Sequence, residues 1–365
     1  QNRLSKYFNF GYFYCYWYIL STFFYFSKFV YAKIPILSSL YHSIYSELVW
    51  AIFPMAVFLI LFHDFTVKQF LVPCLLLLPI LNSTSFTGKS ELPPALFFFF
   101  MLVCTRLNMK KLLRFSLYAL IVFLSCSVVF SSLGLIDTGD VTTAASRGVD
   151  LSESTLRHGF GICHPNDAGF LVSLLCILMM LDRWNDMKWW HWGVICLSFY
   201  VNYKIIDSRG ALLLLFSVVF LKLLVSIIPN FFSYKPVRLL VIVTPLLLYC
   251  GSWVLGWLYL HEFPFVFILN KLTTGRIALM AKTIYYYPIT LFGRPVDTSI
   301  VSILDNVYIS WLFNKGYWQA AMYIFGIGTL LYRFLKRNCV AEVIVCISLL
   351  LYGMMETIAF FPVNP

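Results

Sequence analysis

Residues 237–260 read VRLLVIVTPLLLYCGSWVLGWLYL and contain a single charged side chain, that of Arg238. A helix needs about 20 consecutive apolar residues to cross the hydrocarbon core of a bilayer. The run is long enough for that, and it is apolar on every face, whereas a strand of an outer-membrane barrel would alternate polar and apolar positions. The stretch therefore predicts a membrane-spanning helix in an all-α fold.

The composition of the whole chain is that of a membrane protein. Of its 365 residues, 61% are hydrophobic and 12% are charged, with a mean hydropathy of +0.82, whereas soluble domains carry about 25% charged residues. We expect residues 1–365 to form a single integral membrane domain. The first apolar run lacks a small-residue cleavage site, so it predicts an anchor rather than a signal peptide. Apolar runs predict about eleven spans, at 8–30, 44–62, 68–82, 93–107, 112–136, 163–181, 190–206, 210–228, 237–260, 310–332 and 340–361.

The positive charges of the chain indicate topology. The net charge of +11 would suggest nucleic-acid binding in a soluble protein, but in a membrane protein Lys and Arg mark the cytoplasmic loops. With the N-terminus in the cytoplasm, the cytoplasmic segments hold fourteen Lys and Arg and the short outer loops hold five. Loops 137–162 and 261–309 then face outward, where we expect them to cap a wet cavity. The ten cysteines lack metal-ligand spacing, so they predict neither a metal site nor a disulfide framework. No cofactor is predicted.

Arginine is the residue type that stands out on the predicted outer side. Its guanidinium group stays charged and matches the geometry of phosphate oxygens, so these residues are candidate ligands of a diphosphate. For Arg147 and Arg294, an ordinary exposed loop position is as good an explanation as a diphosphate ligand. Arg209 lies between two spans, where a charge is costly without a partner or a task, and Asp207 could be its structural counter-ion. The candidates are Arg147, Arg157, Arg209, Arg276 and Arg294.

A first polar block, RHGFGICHPNDAG at 157–169, opens the predicted sixth span. Pro165 suits a first helical turn and Asn166 suits the positive helix N-terminus, so local capping explains part of the block. A helix N-terminus that points into a polar cavity also binds anions. Two histidines exceed what capping requires. We therefore consider His164 a candidate catalytic base, with His158 and Asn166 in support.

A second polar block combines Thr274-Gly275-Arg276 with the sequence DNVY at 305–308. Attack by a sugar hydroxyl needs a base or a hydrogen-bond acceptor within reach, and Asp305 is the first candidate for it. The alternative is that Asp305 caps the predicted tenth span, because Asp before an apolar run is a common N-cap. Asn306 and Tyr308 are candidate supporting residues.

In their order along the chain, these blocks resemble the motifs of the O-antigen polymerase and O-antigen ligase superfamily. The resemblance covers roughly residues 145–360 and includes His164-Pro165-Asn166, Ser208-Arg209-Gly210, Thr274-Gly275-Arg276 and Asp305-Asn306-x-Tyr308 before Gly316. Ligases of this family typically have His-Asn where this chain has Asp305-Asn306, and the Asp form resembles capsule and exopolysaccharide polymerases. Family members often continue into another helix, so we expect further sequence beyond Pro365.

The resemblance implies a GT-C-type fold in the bacterial cytoplasmic membrane and an inverting, metal-independent glycosyltransferase with an outward-facing site. Its substrate would be an undecaprenyl-diphosphate-linked oligosaccharide, and the growing glycan would be transferred onto an incoming lipid-linked repeat unit. A chain-length regulator and a flippase are implied as partners beside the lipid bilayer. Alternative functions are an O-antigen-ligase-type glycan transferase and a flippase for lipid-linked oligosaccharides. A flippase should carry charges inside several spans, whereas the charges here cluster in the outer loops.

Overall fold

The computed structural model describes residues 2–26, 39, 107–142, 155–228, 230–294, 296–297, 301 and 304–356. These residues are mostly helical, which confirms the predicted helical class. The helices are α1 (Asn2–Tyr25), α2 (Met109–Ser132), α3 (Pro165–Asp182), α4 (Trp189–Tyr200), α5 (Arg209–Ile227), α6 (Lys235–Leu260), α7 (Pro264–Leu272), α8 (Arg276–Tyr286), α9 (Val307–Asn314), α10 (Gly316–Lys336) and α11 (Val340–Tyr352). A π-helical turn at Val201–Ile205 follows α4, and a 3-10 turn at Phe231–Ser233 precedes α6.

Four helices of the described part of the chain, α2, α3, α5 and α6, are long and apolar enough to cross a membrane. Large apolar side chains such as Val122, Phe216 and Leu239 are exposed on these helices. Exposed apolar surface of this extent marks an interaction site or contact with lipid, so the helices are compatible with a membrane protein. The predicted spans 44–62 and 68–82 lie outside the described residues, as does 93–107 except for its last residue. The number of eleven spans and the GT-C-type fold stay predictions.

The predicted tenth span, 310–332, is two helices in the structure. Helix α9 ends at Asn314 and α10 begins at Gly316, which has a φ of 81°. A β-carbon at Gly316 would lie 2.3 Å from the carbonyl oxygen of Leu291, and the N–H of Trp318 donates to that same oxygen at 3.2 Å. The loop around Leu291 therefore packs into the break, and only glycine allows so close an approach.

The loop predicted at 261–309 holds two short helices, α7 and α8. The longer of the two, α8, ends at Tyr286. Their inner faces pack with α9 around a core of Val266, Ile277, Met280, Ile309 and Phe313. The predicted eleventh span, 340–361, is helical over α11 and leaves the helix at Gly353.

The chain divides into two compact units. Among the described residues, the first unit holds α1 to α4 and α5 as far as Leu215. Helix α2 contacts both α1 and α3 there, and Arg114 of α2 pairs with Asp182 at the end of α3 at 2.8 Å. The second unit is built on α6, which contacts α7 to α11. The prediction of a single integral membrane domain stays a prediction.

One short β-ladder is described in the first unit. Strands β1 (Val141–Thr142) and β2 (Leu156–Arg157) pair in antiparallel register, with Val141 opposite Arg157. Arg157 lies eight residues before Pro165, where α3 begins. The pairing therefore fixes the backbone of the first polar block close to a helix N-terminus.

Candidate functional site

Helix α8 begins at Arg276 because a tight turn reverses the chain there. Thr274 and Gly275 both have positive φ, of 54° and 84°. The N–H of Gly275 donates to the carbonyl oxygen of Asn270 at 2.8 Å, and Oδ1 of Asn270 accepts the N–H of Ala278 at 2.9 Å. Asn270 thus satisfies one of the N–H groups that the first turn of a helix leaves without an intrahelical acceptor. The motif Thr274-Gly275-Arg276 is a rigid turn that fixes the Arg276 backbone.

Arg276 lies between two carboxylates, Asp305 and Glu356, and we call these three residues the Arg276 cluster. Nε of Arg276 donates to Oδ2 of Asp305 at 3.0 Å, and Nη2 donates to Oε1 of Glu356 at 2.6 Å. The side chains of Arg276, Asp305 and Glu356 are 11%, 26% and 5% exposed. Asp305 is therefore the more accessible of the two carboxylates in the cluster.

The electrostatics of the Arg276 cluster differ from those of an open cationic site. Burial by itself lowers the pKa of the Arg276 guanidinium, but the attraction of Glu356 and Asp305 outweighs it, so the pKa is raised. One cation faces two carboxylates, which gives a net charge of −1 when all three groups are ionised. The charge of Arg276 is thus already offset inside the protein.

Asn306 holds the elements around the Arg276 cluster together. It is the N-cap of α9, where its Oδ1 accepts the N–H of Ile309 at 3.0 Å. Its Nδ2 donates to Oγ of Ser252 in α6 at 3.0 Å and to the carbonyl oxygen of Met354 at 3.2 Å. The alternative in which Asp305 caps this helix is wrong, because the next residue performs that role. The carboxylate of Asp305 contacts Arg276 instead.

Tyr308 is fully buried and supports the site by packing. Its hydroxyl donates to the carbonyl oxygen of Leu350 in α11, and its ring meets that of Tyr249 edge-on, with 4.9 Å between the centroids. The N–H of the preceding Val307 donates to the carbonyl oxygen of Gly353 at 2.9 Å. These contacts join α9 to the chain segment that carries Glu356.

Glu356 is the residue of this site that the sequence reasoning missed. It lies four residues beyond the end of α11, inside the predicted span 340–361. An acidic residue within an apolar run is costly in a bilayer unless it has a partner or a function. That cost is the signal that could have identified it, although its partner Arg276 is 80 residues away in sequence.

In the first unit, the structure brings Arg157, Asn166 and Asp207 together, and we call them the Arg157 cluster. The Arg157 side chain is buried, with the residue 2% exposed. Its Nη2 donates to Oδ1 of Asn166 at 2.6 Å and to the backbone carbonyl oxygen of Asp207 at 3.1 Å. Asp207 has a positive φ of 52° in the turn before α5. The cluster places a guanidinium group beside the N-terminus of α3.

The structure gives each histidine of the first polar block a local contact. His164 is the N-cap of α3, and its Nδ1 accepts the N–H of Asn166 at 3.1 Å. Its use as a base through Nδ1 would cost the helix this cap, worth about 1 kcal/mol. His158 lies 3.3 Å from Oδ2 of Asp140 through its Nδ1, and Oδ1 of Asp140 accepts the N–H of Gly159 at 2.9 Å. Asp305 accordingly remains the first candidate for the base.

The remaining arginines occupy more exposed positions. Arg209 is the exposed first residue of α5. The preceding residue, Ser208, packs closely against α3, because a β-carbon on Gly169 would lie only 2.7 Å from the β-carbon of Ser208. Arg294 is also exposed, and its N–H donates to the carbonyl oxygen of Phe313 at 2.8 Å. Arg147 lies outside the described residues.

The described residues contain no group of three or more His, Cys, Asp or Glu side chains arranged to hold a metal ion. The Arg276 cluster belongs to the second unit and the Arg157 cluster to the first. Each cluster is a buried guanidinium group held by oxygen acceptors close to the start of a helix. The chain matches no protein-family model, no curated protein and no solved structure.

Proposed function

We propose that this chain is a polysaccharide polymerase that joins undecaprenyl-diphosphate-linked repeat units at the outer face of the bacterial cytoplasmic membrane. The observation that carries the proposal is the Arg276 cluster, in which a buried guanidinium group holds a partly exposed carboxylate, that of Asp305. A glycosyl transfer to a sugar hydroxyl uses a carboxylate that is both fixed in position and open to the acceptor. Asp305 has both properties.

In the proposed reaction, Asp305 accepts the proton of the attacking sugar hydroxyl. The hydroxyl oxygen forms a bond to the anomeric carbon of the growing glycan. The bond between that carbon and the diphosphate oxygen breaks, and its electron pair leaves with undecaprenyl diphosphate. Direct displacement of this kind inverts the anomeric configuration and uses no metal. The catalytic role belongs to Asp305, because His164 already uses its Nδ1 to cap α3.

Arg276 takes the role of a positioning residue for Asp305 in this proposal. The net charge of −1 on the Arg276 cluster would repel a diphosphate at close range. The hydrogen bond from Nε of Arg276 to Oδ2 of Asp305, at 3.0 Å, restricts the orientation of the carboxylate. This role accounts for the cluster better than direct binding of the leaving group does.

Arg157 and Arg209, both in the first unit, stay the sequence-predicted candidates for stabilising the departing diphosphate. Cationic donors aimed at developing negative charge are the main source of rate in such transfers. Arg209 combines an exposed side chain with the positive end of α5, which is a favourable site for an anion. Arg157, being buried, acts through the positive potential that it adds beside the start of α3. Arg147 and Arg294 stay secondary candidates.

Incubation of the purified protein with defined lipid-linked repeat units tests the proposed function. Lengthened lipid-linked glycan is the expected product. Transfer to a different acceptor would identify a ligase instead, and transport of unchanged substrate across proteoliposomes would identify a flippase. Lys282→Gln is a matched control for the Arg276 cluster, because Lys282 is an exposed cation of the same helix, α8. It should elongate at the wild-type rate.

A further inference from the structure

A cavity of about 400 Å³ lies in the second unit, at the end opposite the loop that carries α7 and α8. It is formed by the end of α5, the 3-10 turn before α6, the end of α10 and the start of α11. Eight of its eleven lining residues are apolar, Phe231, Phe334 and Val343 among them, and polar groups, including the side chains of Asn230 and Asn338, form nearly half of its exposed surface. The volume is in the range of small-molecule binding sites.

Lys and Arg residues lie close in sequence to the residues that line this cavity. Segments 230–240 and 330–343, which carry most of the lining residues, hold five Lys and Arg residues, and Glu342 is their one acidic residue. None of the five forms an ion pair with a carboxylate in the part of the chain that the structure describes. The five are Lys235, Arg238, Arg333, Lys336 and Arg337.

We propose that this cavity binds one anionic phospholipid of the surrounding leaflet, with an acyl chain against the apolar lining and the phosphate among the cations. Helices α5 and α6 are long enough to cross a bilayer, and the cavity lies where α5 ends and α6 begins, which is the level of lipid headgroups. Basic pockets between membrane helices bind anionic lipid headgroups in this way. A topological preference for positive loops explains the cations but not the cavity beside them.

The apolar lining identifies the ligand as a lipid rather than a free phosphate ion. An inorganic anion would gain from the cations alone, and contact with Phe231 or Val343 would not stabilise it. A phospholipid gains from both parts of the site. The inference does not depend on the proposed polymerase activity, because the cavity and the Arg276 cluster involve different residues.

Lipid binding to the purified full chain in detergent provides the test, with native mass spectrometry as the readout and thermal unfolding as a second. The ligands are phosphatidylglycerol, phosphatidylcholine with the same acyl chains, and inorganic phosphate. The charge variant is Lys336→Gln with Arg337→Gln, both at exposed positions. Its matched control is Lys110→Gln with Lys111→Gln, exposed cations at the start of α2 that lie on the same predicted side of the membrane. A third variant, Val340→Phe, fills the cavity without changing charge.

We expect phosphatidylglycerol to bind in preference to phosphatidylcholine. The Lys336 and Arg337 variant should weaken that binding roughly 30-fold, since each cation near an anionic headgroup contributes about a factor of five. Val340→Phe should weaken binding as well, and the control pair should leave it unchanged. Equal binding of the two lipids, equal loss in both charge variants, or full competition by inorganic phosphate would each overturn the proposal. If Val340→Phe fails to fold, the two charge variants decide the outcome.

Discussion

Replacement of Asp305 by Asn separates a catalytic carboxylate from a structural one. The change removes a negative charge and keeps the size of the side chain. Asn306 caps α9, so the substitution leaves the cap intact. Arg276 retains its 2.6 Å contact with Glu356, and Asp305 is 26% exposed, so solvent screens part of the lost contact. We expect the free energy of unfolding to fall by about 1 kcal/mol.

The expected effect on elongation is far larger than the effect on stability. A positioned general base contributes about 10²–10⁴-fold to a rate, and an amide cannot accept the hydroxyl proton. The assay measures elongation of lipid-linked repeat units per folded molecule, with thermal unfolding of the same preparation. Lys282→Gln supplies the baseline for a charge change on α8.

Wild-type elongation by Asp305→Asn would refute the assignment of the base. Such a result together with an inactive His164→Ala variant would move the base to His164. Normal elongation by both variants would leave the rate to stabilisation of the leaving group alone. A variant that loses stability and activity in proportion would show that Asp305 only holds Arg276 in place.

Three further predictions concern other residues of the chain. Glu356→Gln should lower the free energy of unfolding by about 3 kcal/mol in denaturation experiments, because it removes one partner of a buried ion pair; an unchanged midpoint would contradict this. Arg157→Ala and Arg209→Ala should each strongly reduce the amount of polymer while folded protein remains in the membrane. Arg209→Lys should also make little polymer, because Lys lacks the planar fork of Arg. Polymer of normal length in all three variants would leave both arginines without a role in the reaction. An impermeant thiol reagent should label Glu262→Cys in intact cells and spare Lys110→Cys, and the reverse pattern would invert the predicted orientation.

The sequence predicted the helices of the described region where a single local property decides them. Residues 237–260 form α6, which begins two residues earlier, and 210–228 correspond to α5. The length and apolarity of a segment determine whether it can cross a bilayer, and both are read directly from consecutive residues. The break at Gly316 was not predicted, because the segment that packs into it comes from the loop around Leu291.

The candidate site residues were identified by type, but their partners were not. The sequence singled out Arg276 and Asp305 separately, and the structure joins them at 3.0 Å. It also assigns the cap of α9 to Asn306 rather than Asp305, a shift of one residue that local pattern does not resolve.

By itself, the sequence determined the helical class, the apolar character of the spans and the residue types able to do chemistry. Only the tertiary structure decided that Glu356 joins Arg276 and Asp305, and therefore that the cluster carries a net negative charge. The reason is that a partnership between ionisable groups depends on which helix ends meet. Chain packing fixes those meetings across 80 residues of sequence in this case, and the resulting burial decides which charges are offset and which remain accessible.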